Sequence, residues 1–146
     1  MMSRFTTITV LALALAGCNA TGGTGRSSIS DIITYANADV TNENFTGRVL
    51  PGVNFGGALA DGTNFTRANL EGARFENGYA SGALFVNANL RNANFDYAHL
   101  ENALFQGANL TGASLESARL DGANFSGATW TDGKKICKAN SIGGCN

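Results

Sequence analysis

The sequence predicts an all-β fold: a right-handed quadrilateral parallel β-helix of about 4.5 coils, each of about twenty residues. Three observations carry this. In FVNANLRNANFDYAHLENALFQGANL, residues 85–110, a large apolar residue returns every fifth position, at Phe85, Leu90, Phe95, Leu100, Phe105 and Leu110. A small residue stands two places before each of them, and residues two apart on an extended chain face the same way. Like residues also recur at twenty: Phe45, Phe65, Phe85, Phe105 and Phe125 are all Phe, and Leu50, Leu70, Leu90 and Leu110 are all Leu.

The stretch MMSRFTTITVLALALAGCNA opens the 146-residue chain. Arg4 supplies a positive start, and Ile8 to Ala16 is an apolar run too short for a permanent membrane span. The run ends in Leu15-Ala16-Gly17-Cys18, which resembles the lipobox of bacterial lipoproteins. The resemblance implies a signal peptide over 1–17 and lipidation at Cys18, with an ordinary signal peptide and a chance Cys as the rival reading. A mature chain beginning at Cys18 would lose Arg4 and carry a formal charge of −2 instead of −1. Asn19 follows Cys18; by resemblance to Gram-negative sorting, this favours the outer membrane, facing the periplasm. The membrane is then a partner through acyl chains, with no membrane-spanning helix required.

Residues 18–37 read as a flexible tether, because NATGGTGRSSIS is rich in Gly, Ser and Thr. Its GGTG has no strand before it and no Lys-Ser/Thr after it, so it is not a phosphate loop. Around residues 28–40 two readings stay open: a partial coil from near residue 31, with Ile33, Tyr35, Ala38 and Val40 inward, or a short helix from Ser30.

Residues 38–132 form the expected solenoid. The central apolar positions run from Phe45 to Trp130 in eighteen repeats, with Ala60 and Ala80 as undersized members. Ala stands two places earlier in every repeat from Ala83 to Ala128. Gly or Asn is frequent two places later, as at Gly47, Gly72, Asn87, Asn102 and Gly122, and suits a corner with positive φ. Three extended residues and a two-residue corner make one side, and a twenty-residue period makes four sides. Coils spaced about 4.8 Å apart give a rod roughly 20 Å tall, and parallel crossovers favour the right hand. Sixteen large inward residues, each worth roughly 1.5–3 kcal/mol when buried, supply the driving force.

These units resemble the pentapeptide repeat family, whose consensus is close to Ala-Asn/Asp-Leu/Phe followed by two variable residues. Ala68-Asn69-Leu70, Ala88-Asn89-Leu90, Ala93-Asn94-Phe95, Ala108-Asn109-Leu110 and Ala123-Asn124-Phe125 carry the resemblance. It implies a right-handed quadrilateral β-helix, in agreement with the four-sided coil read from the columns, and says little about function.

The period breaks in TWTDGKKICKANSIGGCN, and residues 133–146 are expected to cap the rod. With Cys18 lipidated, Cys137 and Cys145 remain as two thiols in an oxidising compartment. Pairing them would close a small loop over the end. The tail also resembles the Trp-x-Asp-Gly…Cys…Ser-Ile-Gly-x-Cys ending of exported pentapeptide proteins.

Candidate chemistry is sparse. His99, the only histidine, is outward and solvated in this frame. Two Cys and one distant His fall short of a zinc site, so no metal or cofactor is expected. No Ser or Cys has a base partner for nucleophilic catalysis, and the expectation is a non-enzyme. Glu76, Asp96 and Glu116 share one outward column and Asp61, Glu101 and Asp121 another. On a convex wall they read as solvated charge. Asn44, Asn64, Asn109 and Asn124 begin Asn-x-Ser/Thr triplets, which the repeat itself generates. No basic footprint for nucleic acid is present. Eight acidic and five basic residues over 41–130 are also too weakly acidic for a DNA mimic that binds a topoisomerase.

The expected function is therefore a non-enzymatic envelope lipoprotein, a rigid scaffold or interaction module. A carbohydrate- or cell-wall-binding or -processing β-helix is the alternative, disfavoured because no insertion interrupts the repeats to build a groove. One outward cluster departs from the polar pattern: Leu84, Val86 and Leu104 on one wall, Leu59 and Tyr79 on the adjoining wall. Such a patch suits self-association or docking to an envelope protein.

Overall fold

A computed structural model describes residues 33–146. The expected signal peptide, Cys18 and most of the expected tether lie outside the described residues. From Thr34 onward the chain repeats three extended residues and a two-residue turn. The middle extended residue of each unit pairs in parallel with the residue twenty positions on. Four walls result. Wall 1 carries Thr34, Asn54, Arg74, Asn94 and Ser114, and wall 2 carries Asp39, Leu59, Tyr79, His99 and Arg119. Wall 3 carries Asn44, Asn64, Leu84, Leu104 and Asn124, and wall 4 carries Val49, Asn69, Asn89, Asn109 and Thr129.

Main-chain bonds lock this register. The Phe85 N–H donates to the Leu104 carbonyl at 2.7 Å and the Asn87 N–H to the Gln106 carbonyl at 2.9 Å, while the Leu104 N–H returns to the Ala83 carbonyl at 2.9 Å. Each corner is closed by a turn bond, as from the Ala88 N–H to the Phe85 carbonyl at 3.1 Å. The second corner residue has positive φ from Asn37 to Gly127, as a type II turn requires at its third position.

The outward Asn of the repeat has a defined task. The N–H of the first corner residue points away from the ladder and needs an acceptor. The Asn two residues earlier supplies its Oδ1, as Asn54 does for Gly56 at 2.8 Å and Asn124 for Ser126 at 3.0 Å. All four Asn of the Asn-x-Ser/Thr triplets make this bond. The Ala-Asn-Leu/Phe pattern thus combines a small inward residue, a turn acceptor and a large inward residue.

Gly and Asn also alternate along the corner columns for a reason. A Cβ on Gly57, Gly62, Gly107, Gly112 or Gly122 would run into Oδ1 of Asn37, Asn42, Asn87, Asn92 or Asn102, one coil earlier. An Asn corner projects its amide into the space of the next corner, and after five of the six Asn corners from Asn37 to Asn102 that next corner is Gly. Tyr97 breaks the alternation. It follows Asn77 in its column and holds φ 60 while 56% exposed.

Phe columns from walls 1 and 3 meet in the middle of the rod. Phe85 stacks on Phe65 at 5.1 Å and on Phe105 at 4.9 Å, and sits edge-on to Phe75 and Phe95 at 5.6 Å each. Ala60 and Ala80 are fully buried on wall 2. The small inward positions are all Ala from Ala83 to Ala128; upstream they include Val53, Thr63 and Gly78, while Glu43 and Arg48 at this position of the first full coil are exposed. Thr63 satisfies its buried hydroxyl by donating to the Val40 carbonyl at 2.7 Å.

At the N-terminal end, the Thr34↔Asn54 bridge and the stack of Tyr35 on Phe55 at 4.9 Å make residues 34–40 a partial coil. The ladder therefore begins before the boundary at residue 38 expected between tether and solenoid. Extended pairing excludes the helical reading for these residues.

Candidate interaction surface

Between its corners each wall presents the outward side chains of its middle residues. On wall 3, Leu84 and Leu104 are bridge partners and half-buried, and Val86 follows at the corner. Beyond Asn124 the same wall is extended by Ile142, which pairs antiparallel and is 50% exposed. On wall 2, Leu59 and Tyr79 are bridge partners, each 44% exposed. Structure and sequence differ in the continuity of this cluster. Between Tyr79 and Leu84 the chain turns a corner at Ser81-Gly82, and that corner column carries Asp61, Ser81, Glu101 and Asp121. A polar ridge therefore divides the expected patch into two strips.

The ridge is organised. Tyr79 has no amide to cap its corner, and Asp61 from the preceding coil accepts the Ser81 N–H instead at 2.8 Å. Wall 1 repeats the device: Ser114 stands at the Asn position, and Asp96 accepts the Glu116 N–H at 3.0 Å and the Ser114 hydroxyl. Glu76 in that column takes Arg74 Nε and Asn94 Nδ2, both at 3.1 Å. Several carboxylates expected to be merely solvated thus hold the chain from one coil to the next.

Glu101 gathers the ridge. Its Oε1 lies 2.9 Å from Arg119 Nε and 3.6 Å from His99 Nδ1, and its Oε2 accepts the Ser81 hydroxyl at 3.2 Å. Desolvation pushes its pKa up, but its backbone N–H, the Ser81 hydroxyl, Arg119 and His99 together pull it below the ordinary carboxylate value. Sequence reasoning missed the stacking of His99 on Tyr79, at 4.7 Å between rings. The signal was available, since the two residues hold the same repeat position twenty apart. Among the described residues no three of His, Cys, Asp and Glu are grouped to hold a metal ion.

The C-terminal residues cover part of the last coil. The Cys137–Cys145 disulfide is present, with Cα atoms 4.9 Å apart, and Cys137 is buried. Ile136 and Ile142 pair antiparallel with Thr129 and Asn124. Phe125, Gly127 and Trp130 donate their N–H groups to the carbonyls of Ser141, Cys137 and Lys135 at 2.8–2.9 Å. Trp130 packs edge-on against Phe125 at 5.2 Å.

Pentapeptide repeats match the chain in 8 copies over residues 42–77, 68–112 and 88–127. The chain belongs to the pentapeptide repeat family. Solved structures to which this pentapeptide repeat protein is similar include one from the Arabidopsis thaliana thylakoid lumen, at 23% identity over 81% of this chain and 88% of that one, TM-score 0.38. Another is HetL, involved in heterocyst differentiation regulation in the cyanobacterium Nostoc, at 25% identity over 70% of this chain and 55% of that one, TM-score 0.31. A third is QnrB1, a plasmid-mediated fluoroquinolone resistance protein, at 24% identity over 63% of this chain and 57% of that one, TM-score 0.31. At these TM-scores the ladder and the repeat match, not the superpositions, carry the fold. No curated protein matches the chain significantly. Pentapeptide repeat proteins are typically non-catalytic scaffolds.

Proposed function

We propose that this pentapeptide repeat protein is a non-enzymatic envelope lipoprotein, anchored through Cys18 in the outer membrane and facing the periplasm. Its rod, right-handed and of about 4.5 coils, presents side walls to a protein partner. The observation that carries the reading is the unbroken twenty-residue ladder from Thr34 to Thr129, which leaves flat walls and spends no residues on a groove. The lipobox Leu15-Ala16-Gly17-Cys18 supports the anchor. The wall 3 strip of Leu84, Val86 and Leu104 is the docking face, with Leu59 and Tyr79 as a second strip across the ridge.

Two variants test the proposal. Cys18→Ala should abolish incorporation of radiolabelled palmitate; equal labelling of variant and wild type refutes the anchor. Leu84→Asp with Leu104→Asp should fold and be acylated normally, yet lose the protein crosslinked to the rod in intact cells. An unchanged crosslinking pattern and oligomeric state refute the docking face. A glycan-binding reading draws on Tyr79 stacked on His99 beside Glu101, since ring faces and carboxylates suit a sugar. Sedimentation with purified cell wall that is lost in Tyr79→Ala would favour it over the protein partner.

A further inference from the structure

The cap covers only half of the rod's end. After Trp130 a continuing helix would cross onto wall 1, but the chain reverses. Asp132 Oδ1 accepts the N–H groups of Lys134 and Lys135, both at 2.9 Å, and Gly133 takes φ 69. The returning chain pairs with walls 4 and 3 only. On walls 1 and 2 the last coil ends at Leu115 and Leu120, which with Ala118 are half-buried. Among the described residues, the N–H groups of Leu115, Ser117, Leu120 and Gly122 have no acceptor, and the Ala113 and Ala118 carbonyls have no donor. Every earlier coil between the ends uses these same positions to bind the next coil, as Phe95 and Leu100 do.

The geometry points to this two-wall ledge as a strand-addition site for an extended segment of a partner polypeptide. Water satisfies the ledge in the free chain, so leaving it open costs little. An unprotected edge is nevertheless a template for pairing, and extended peptides add to such edges through their main chains. The cap itself shows the mode, since residues 135–137 and 141–143 fill the other two walls by equivalent main-chain bonds. The inner surface specifies the side chains: a small residue and then, two places on, a large apolar one, with the same pair repeated five residues later. The corners specify more. Glu116 and Asp121 occupy the columns in which Asp96 and Asp61 accept an N–H from the following coil, so the added strand needs free N–H groups and no Pro there.

A second rod stacked head to tail does not fit. Its first coil would bring Phe45 and Leu50 onto walls 3 and 4 at the level already filled by the cap. A short extended segment meets no such obstacle. The site is separate from the side-wall strips of the proposed function, and either can fail without the other.

The probe is a synthetic peptide copying residues 91–102, the stretch that occupies walls 1 and 2 one coil below the ledge. It is added to the full chain as purified from cells, and amide hydrogen exchange is read residue by residue. At a peptide concentration of about ten times its Kd, exchange at Leu115, Ser117, Leu120 and Gly122 should slow about tenfold. A scrambled peptide should have no effect, and Ala118→Asp, a charge placed under the ledge, should weaken the protection. The inference is overturned if those four amides are unaffected. It is equally overturned if protection falls instead on Asp39, Asn44 and Val49 at the opposite end, or if the chain alone self-associates and protects the ledge without peptide.

Discussion

Replacing Phe85 with Ala tests the packing on which the rod depends. The ring is fully buried, stacked between Phe65 and Phe105 and edge-on to Phe75 and Phe95. Truncating a buried Phe costs about 3–5 kcal/mol, depending on how far the surroundings collapse into the void. Collapse is hindered here. The spacing of the coils above and below is set by main-chain bonds, including Phe85 N–H to the Leu104 carbonyl at 2.7 Å and Phe65 N–H to the Leu84 carbonyl at 2.8 Å. The expected loss is therefore in the upper part of that range, about 4–5 kcal/mol. For a domain of this size it corresponds to a fall of roughly 15–20 °C in Tm. Urea unfolding followed by far-UV circular dichroism and by fluorescence of Trp130, the single Trp, measures the loss at two places in the rod. Arg91→Ala, at an exposed corner, should shift stability by less than about 0.5 kcal/mol. Equal effects from the two substitutions would refute the inward stacking.

Cys137→Ser removes the clasp of the cap. Closing a loop of 8 residues is worth about 2.5 kcal/mol by the chain-entropy argument, so urea unfolding should shift by about that amount, with faster exchange at the Phe125 and Gly127 amides; unchanged exchange would mean the cap stays seated without the bond. Gly112→Ala should cost about 1–2 kcal/mol, because φ is 73 and the added Cβ meets the Asn92 amide. Gly82→Ala should cost less in the same assay, since no atom stands within 4 Å of a Cβ there and only the positive φ opposes it; equal costs would refute the alternation argument. Glu101 makes stability depend on acid pH. Its pKa is lowered in the fold, so its contribution is complete above the ordinary carboxylate value of about 4.5 and is lost as pH falls through the lower folded value. The stability difference between wild type and Glu101→Gln should therefore shrink on acidification below pH 4.5; a difference independent of pH would remove Glu101 from the acid response.

The sequence alone determined the coil, because each unit of a solenoid touches only its own coil and the neighbours twenty residues away. The five-residue period separated inward from outward side chains, and the column of Phe from Phe45 to Phe125 set four sides to the turn. The cysteine count and the broken period placed a clasped cap at the end. Tertiary structure decided what depends on groups meeting across coils or around corners. It showed that Asn92 forbids a side chain at Gly112, that Asp61 and Asp96 stand in for a missing turn amide, and that Tyr79 lies against His99. It divided Leu59 and Tyr79 from Leu84 and Leu104, since a corner turns the chain between residues that are neighbours in a linear reading of the columns. It also set the direction of the last residues. The bonds from Asp132 to Lys134 and Lys135 send the chain back over two walls and leave two open, and no periodicity in the sequence records which main-chain groups remain unpaired when a repeat stops.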